Sequence, residues 1–271
     1  MRNFYNLVEA SYRKDLKNLI SYRLSFFGEL FLGFFAIIFI IFISKLINGN
    51  ENYYLSNYDG KYFLFLLTGA SLILFVSRMF NSMPIFISQA QSFGYFENLV
   101  STKRNIFLIL LSSSFYPLVR ALIRISLIFF LAIFFNNEPF SFLKYIEFIL
   151  LLIVTSLPIL GISLIVSSLV IFFKKVNFVN SIFLLGCTAF SGVIYPIEVM
   201  PKLFQIFSNL FPTTFSLKVI RGRIIEDLSY LELLFNLFIV IIFSVVLIII
   251  GIISIKIAIH FSKKNGTLSH Y

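Results

Sequence analysis

Six apolar runs, each close to the length a helix needs to cross a bilayer, constrain this chain more than any other feature. They cover about Phe26–Ile47, Lys61–Phe80, Ile106–Phe135, Tyr145–Phe173, Val176–Ile194 and Tyr230–Ile257. A spanning helix requires roughly 20 predominantly apolar residues. A transmembrane barrel would instead show shorter, alternating segments with a polar lumen face. The expected fold is therefore an all-α membrane protein with six transmembrane helices in one transmembrane domain over residues 1–271. Composition agrees, because 59% of residues are hydrophobic and 13% are charged, against about a quarter charged in ordinary globular domains. The first run begins near Ser25 with no small-residue cleavage pattern after it, as expected for a retained anchor.

The formal charge of +10 does not require a nucleic-acid partner. In a membrane chain, loops rich in Lys and Arg belong on the cytoplasmic side. Arg2, Arg13, Lys14, Lys17, Arg23, Lys103, Arg104, Lys174, Lys175, Lys256, Lys263 and Lys264 fall on one side of the six-run topology. Lys45, Lys61, Lys144, Lys202, Lys218, Arg221 and Arg223 fall on the other. This bias of twelve to seven predicts that both termini are cytoplasmic. The triplet Asn265-Gly266-Thr267 fits a glycosylation acceptor, but on that side the match is expected to be fortuitous.

Before the first run, Asn3–Tyr22 carries a helical pattern, with Phe4, Val8, Tyr12, Leu16 and Leu19 on one side and Asn6, Arg13, Lys14 and Lys17 opposite. The reading is an amphipathic interfacial helix on anionic headgroups; the competing reading is a helix packed on the protein, which Asp15 on the apolar side favours. A polar loop over residues 48–60 follows the first run, and Asn81, Ser82 and Pro84 are expected to close the second. In the third run Pro117 is the natural break. Arg78, Arg120 and Arg124 are intramembrane bases whose role is either structural pairing and snorkelling or contact with an anionic headgroup or substrate. Asn136-Asn137-Glu138-Pro139 marks a second external loop, and Pro158 and Gly161 predict a kink in the fourth run. Gly161, Ser163, Ser167 and Ser168 offer small surfaces for close helix packing. Three prolines, Pro196, Pro201 and Pro212, forbid one continuous helix between the last two runs. Outer short helices over Pro196–Arg221, re-entering the membrane, are expected there.

One segment stands apart. Gln91–Arg104 is a short amphipathic stretch between the second and third runs, with Glu97, Asn98, Lys103 and Arg104 beside Phe93, Phe96 and Leu99. It falls on the cytoplasmic side. The chain lacks a GxxxxGK[ST] phosphate loop, so it is not expected to bind or hydrolyse ATP itself. Its carboxylates all map to loops or span ends, which disfavours proton coupling. One cysteine, Cys187, precludes an intrachain disulfide and a multi-cysteine metal site, and His260 and His270 lie in or beside the tail with no paired ligands. No catalytic, cofactor or metal site is expected in this chain.

Gly94-Tyr95-Phe96-Glu97-Asn98-Leu99-Val100-Ser101-Thr102 resembles the cytoplasmic coupling segment of type-2 ATP-binding-cassette exporters, in which Gly, an acidic residue three positions on, Leu and Thr recur. Lys103 stands where that family often has proline and Tyr95 where it often has threonine. Ser191-Gly192, Pro196, Pro201 and Pro212 are similar to its small-Gly-x-x-x-Pro segment and outer re-entrant helices, and Ser21-Tyr22-Arg23 to the end of its N-terminal helix. The resemblance implies a permease subunit, working as a homodimer in the plasma membrane and docked on a cytoplasmic ATPase subunit that binds ATP and Mg. It assigns Gly94, Glu97, Leu99 and Thr102 to the ATPase contact, with Phe93 and Phe96 packing beneath or anchoring at the interface. The cargo it implies is amphiphilic or hydrophobic, drug-like or lipid-like. A secondary transporter or channel, or a membrane assembly protein without transport, are the alternatives that composition alone leaves open.

Overall fold

The computed structural model of the chain describes residues 2–21, 23–48, 61–102, 104–136, 140–174, 177–226 and 228–264. The loop at 49–60, residues 137–139, Tyr22, Lys103, Lys175, Asp227, His270 and the Asn265-Gly266-Thr267 triplet lie outside them.

The helices run in the order α1 (Arg2–Ser21), α2 (Arg23–Asn48), α3 (Tyr62–Ser92), α4 (Phe96–Ser101), α5 (Ile106–Asn136), α6 (Phe142–Thr155), α7 (Leu157–Phe173), α8 (Asn177–Phe190), α9 (Lys202–Ser208), α10 (Pro212–Ile224) and α11 (Tyr230–Lys264). A single 3₁₀ turn, Ile197–Val199, precedes α9. No strand occurs among the described residues. Four segments are long and apolar enough to cross a membrane: Tyr62–Ser92, Ile106–Asn136, Phe142–Phe173 and Tyr230–Lys264. Phe31–Leu46 and Phe178–Phe190 are shorter apolar helical stretches. The chain is thus a multi-pass, all-helical membrane protein.

α3 is the central element: 72% of its apolar window is buried, against 22% for α11. It packs on α2, α5, α7, α8 and α10. The main core gathers Phe63, Phe65, Phe75 and Phe80 of α3 around Phe129 of α5 and Phe148 of α6, the last two stacked at 4.2 Å between ring centroids. A smaller core at the α4 end joins Met83, Ile87, Phe96, Leu110, Ile255 and Ala258. Aromatic residues left facing outward, among them Phe31, Phe35 and Phe39 of α2 and Phe235 and Phe238 of α11, suit a lipid environment.

Three expectations about helix breaks meet different outcomes. α3 does not stop at Asn81, Ser82 and Pro84 but continues to Ser92 with Pro84 inside it. Proline lacks the N–H that would bond the carbonyl one turn back; here that carbonyl is Phe80 O, and the Ser163 hydroxyl of α7 donates to it at 2.8 Å. Asn81 and Ser82 are absorbed by donating to Ser77 O at 2.9 Å and Met79 O at 2.7 Å. α5 is likewise one helix through Pro117, with no break there. The fourth run does break, at Ser156, with Pro158 in the first turn of α7. The carbonyl of Thr155 at this break accepts from the Ser216 hydroxyl of α10 at 2.8 Å.

α7 packs most extensively on α11. Gly161 and Gly251 make the crossing possible, because a Cβ on Gly161 would lie 2.5 Å from the Leu247 carbonyl carbon and one on Gly251 would lie 2.6 Å from Leu164 Cβ. Small residues permit this backbone approach between membrane helices. α1 packs along α5, with the Tyr12 ring edge-on to Tyr116 at 5.5 Å. Part of its surface is therefore committed to the protein, and Asp15 lines a cavity against α3 and α5.

Candidate functional site

The segment singled out in the sequence becomes the tip of a rigid projection. α3 ends in a Schellman motif: Gly94 takes the left-handed conformation, φ 72°, its N–H donates to Gln91 O at 3.0 Å, and the Tyr95 N–H donates to Ala90 O at 3.0 Å. Glycine enters this region without the penalty a Cβ imposes. The turn redirects the chain into α4, whose Phe96 is only 2% exposed and plugs the small core between α3, α5 and α11. Glu97, Asn98, Ser101 and Thr102 are exposed. The Ser101 and Thr102 hydroxyls donate back to Asn98 O at 2.9 Å and Leu99 O at 2.7 Å, closing the helix.

The four residues assigned to contact are not equivalent. Gly94, Glu97 and Thr102 are open to a partner, whereas Leu99 is half-buried and packs on the small core. Phe93, placed beneath α4 with Phe96 in one of the sequence readings, is 76% exposed. It is the C-cap residue of α3, immediately before the glycine. Lys14 of α1 sits over the rings of Phe86 at 5.5 Å and Tyr95 at 5.9 Å, so the N-terminal helix touches the base of this projection.

A cavity of about 440 Å³ lies between α1, α3 and α5. Arg78 and Arg124 line it, with Lys14 and Asp15 of α1. Arg120, one turn from Arg124, does not, so the two arginines do not share this cavity. Burial raises the Asp15 carboxyl above its ordinary range, with Lys14 opposing the shift. Ser82, which lines the cavity, shares a hydrogen bond of 2.9 Å with Ser114 that links α3 to α5.

At the opposite end of the bundle the proline-rich region is well packed. Pro196 and Pro201 precede the 3₁₀ turn and α9, and Pro212 is the first residue of α10, where a missing N–H costs nothing. Gly192 is left-handed, φ 77°, and its turn is covered by Ile197, 2.8 Å from where a Cβ would sit. Ser191 and Thr213 share a short hydrogen bond that ties this turn to α10.

Arg221, read from sequence as a loop cation, is the organising residue here. It is 6% exposed, and its guanidinium donates to Gly192 O at 2.6 Å, Val193 O at 3.1 Å and Phe65 O at 3.1 Å. It also lies over the Phe65 ring at 3.4 Å. Gly69 makes room, since a Cβ there would meet Val193 O at 2.3 Å. Arg223 forms a bidentate pair with Glu147 of α6, both bonds 2.9 Å. Neither role was visible in the sequence; the only signal was two arginines placed beside a glycine at the end of an apolar bundle.

Among the described residues no group of three or more His, Cys, Asp or Glu is arranged to hold a metal ion. The family model for ABC-2 type transporters matches residues 12–225, from within α1 to the end of α10. No curated protein matches the chain.

Proposed function

The chain belongs to the ABC-2 type transporter family, and from that premise we propose that it is the membrane permease subunit of an exporter driven by a separate ATP-binding-cassette ATPase. ATP and Mg are then bound by that partner and not by this chain. The four long and two shorter apolar helical segments are read as six spans, with both termini and α4 in the cytoplasm of a plasma-membrane protein. The exposed aromatic faces of α2 and α11 suit lipid and a second permease copy, as a homodimer requires. The cargo is read as amphiphilic or hydrophobic.

The observation that carries the reading is α4. A six-residue helix sits on a left-handed glycine turn between the ends of the two 31-residue helices α3 and α5. One side is anchored through Phe96 and the other presents Glu97 and Thr102. Such a lug converts movement of a docked subunit into movement of both attached helices. ATP binding drives the cycle if it favours one permease conformation over the other.

The test is co-purification with a candidate ATP-binding-cassette ATPase subunit co-expressed with the permease, combined with stimulation of its turnover. Glu97→Lys is the informative variant because Glu97 is exposed and its loss leaves the core intact; Leu99→Asp would also disturb the packing of α4. The expected result is loss of the retained ATPase and of stimulation by E97K at unchanged permease yield. An E97K permease that holds and stimulates the ATPase normally would refute α4 as the contact.

A further inference from the structure

We propose that the cavity between α1, α3 and α5 is a binding site for the anionic phosphate group of an amphiphile, with Lys14, Arg78 and Arg124 as its cationic wall. Its volume, about 440 Å³, falls in the range of small-molecule sites, about 300–1,000 Å³. Among the lining residues three bases face one carboxylate, Asp15, so the fixed charge of the wall favours an anion.

Depth supports a headgroup. At 1.5 Å per residue α3 is about 46 Å long, against about 30 Å of hydrocarbon. Arg78 stands about 24 Å from Tyr62 and about 21 Å from Ser92 along that axis. Centred on α3, that thickness puts the hydrocarbon edge nearer α4 about 8 Å short of Ser92, near Ile87, with Lys14 of α1 over Phe86 and Tyr95 on either side of it. Lys14 approaches from the polar side of this edge, while Arg78 and Arg124 are rooted on the apolar side. Charged groups rooted there are rare and mark binding sites or pathways as well as internal pairs, and guanidinium groups suit phosphate oxygens in particular.

The remaining wall fits the rest of an amphiphile. Leu74, Ile85, Phe86 and Pro117 line the same cavity, and Ile85 is 50% exposed. A chain attached to a phosphate held by the arginines has an apolar exit past Ile85 to the lipid-facing surface. The inference does not depend on transport or on an ATPase, so it stands or falls separately from the exporter reading.

The chain contains no tryptophan, so Phe86→Trp places a sole indole in the cavity wall. The full chain in uncharged maltoside micelles is titrated with phosphatidylglycerol, with phosphatidylcholine, or with inorganic phosphate. A saturable change in indole emission with phosphatidylglycerol is expected, and none with phosphatidylcholine. Arg78→Gln and Arg124→Gln should each weaken it about fivefold, taking roughly 1 kcal/mol per base. Arg78→Lys, which keeps the charge, retains binding and guards against a variant that merely misfolds; Lys202→Gln at the far end of the bundle leaves the curve unchanged. A response to phosphatidylglycerol alone assigns the phosphate to the bilayer, and one to inorganic phosphate at the same arginines assigns it to water; both uphold the site. Superimposable curves for the parent and both glutamine variants, an equal response to phosphatidylcholine, or an equal loss in K202Q would each overturn it.

Discussion

Replacing Arg221 with methionine removes the guanidinium while keeping most of the side-chain volume. Three carbonyls lose a donor: Gly192 O, Val193 O and Phe65 O. Phe65 O still accepts from the Thr68 hydroxyl at 3.0 Å, so two are left without their side-chain donor. A buried carbonyl left unsatisfied costs about 1–3 kcal/mol, and the ring contact with Phe65 adds on the order of 1–2 kcal/mol. Offsetting these, methionine no longer requires a charge to be held away from water. A net loss of about 3 kcal/mol remains, and with about 2–4 °C per kcal/mol for a chain of this order of size, the melting temperature should fall by roughly 10 °C. The sole cysteine supplies the assay: Cys187 is 0% exposed, so a maleimide dye that fluoresces on thiol addition reports opening of the bundle as temperature rises. Arg221→Lys keeps the charge but not the planar fork, and should melt between R221M and the parent. An R221M chain that melts with the parent would refute the idea that this guanidinium holds the Gly192 turn to α3.

Gly251→Val forces a Cβ to within 2.6 Å of Leu164 Cβ and should lower the same melting temperature by several degrees, about 1–3 kcal/mol of overpacking. Glu147→Gln, by contrast, breaks a pair whose side chains are 35% and 37% exposed; exposed pairs contribute about 0–1 kcal/mol, so its melt should be nearly unchanged. Gly94→Ala meets no atom within 4 Å and costs only about 1 kcal/mol of left-handed strain. Its melt should fall by only about 2–4 °C, while, on the coupling role proposed for α4, stimulation of a docked ATPase should fall much further. Asp15→Asn removes the one carboxylate among the cavity's lining residues and should tighten phosphatidylglycerol binding severalfold in the indole titration.

Local chemistry was legible wherever the cause was local. Pro196, Pro201 and Pro212 interrupt the helix between the last two runs because proline removes a backbone donor, and each stands at or just before a helix start. The break before Pro158 follows from the same logic. What sequence could not show is relief supplied from elsewhere in the bundle. Pro84 reads as a terminator until Ser163 on another helix is seen to bond Phe80 O. Arg221 reads as a loop cation because its acceptors are backbone carbonyls, which leave no mark in the residue pattern. Phe93 and Phe96 are both aromatic in an amphipathic stretch, and only the left-handed turn between them decides that one is exposed and the other buried. The packing of α1 on α5 was likewise undecidable from periodicity, since lipid and protein both accept an apolar stripe.

The Gly161–Gly251 crossing has a mechanical meaning for any moving part of this bundle. Helices that meet through long side chains can slide by repacking them, but helices whose backbones touch cannot slide a turn without driving a side chain into the other backbone. α7 and α11 are locked in this way, whereas α3 and α5 meet across the Ser82–Ser114 hydroxyl pair, which breaks and re-forms at little cost. Sliding is therefore resisted where α7 crosses α11, and is least costly between α3 and α5, the two helices that α4 joins.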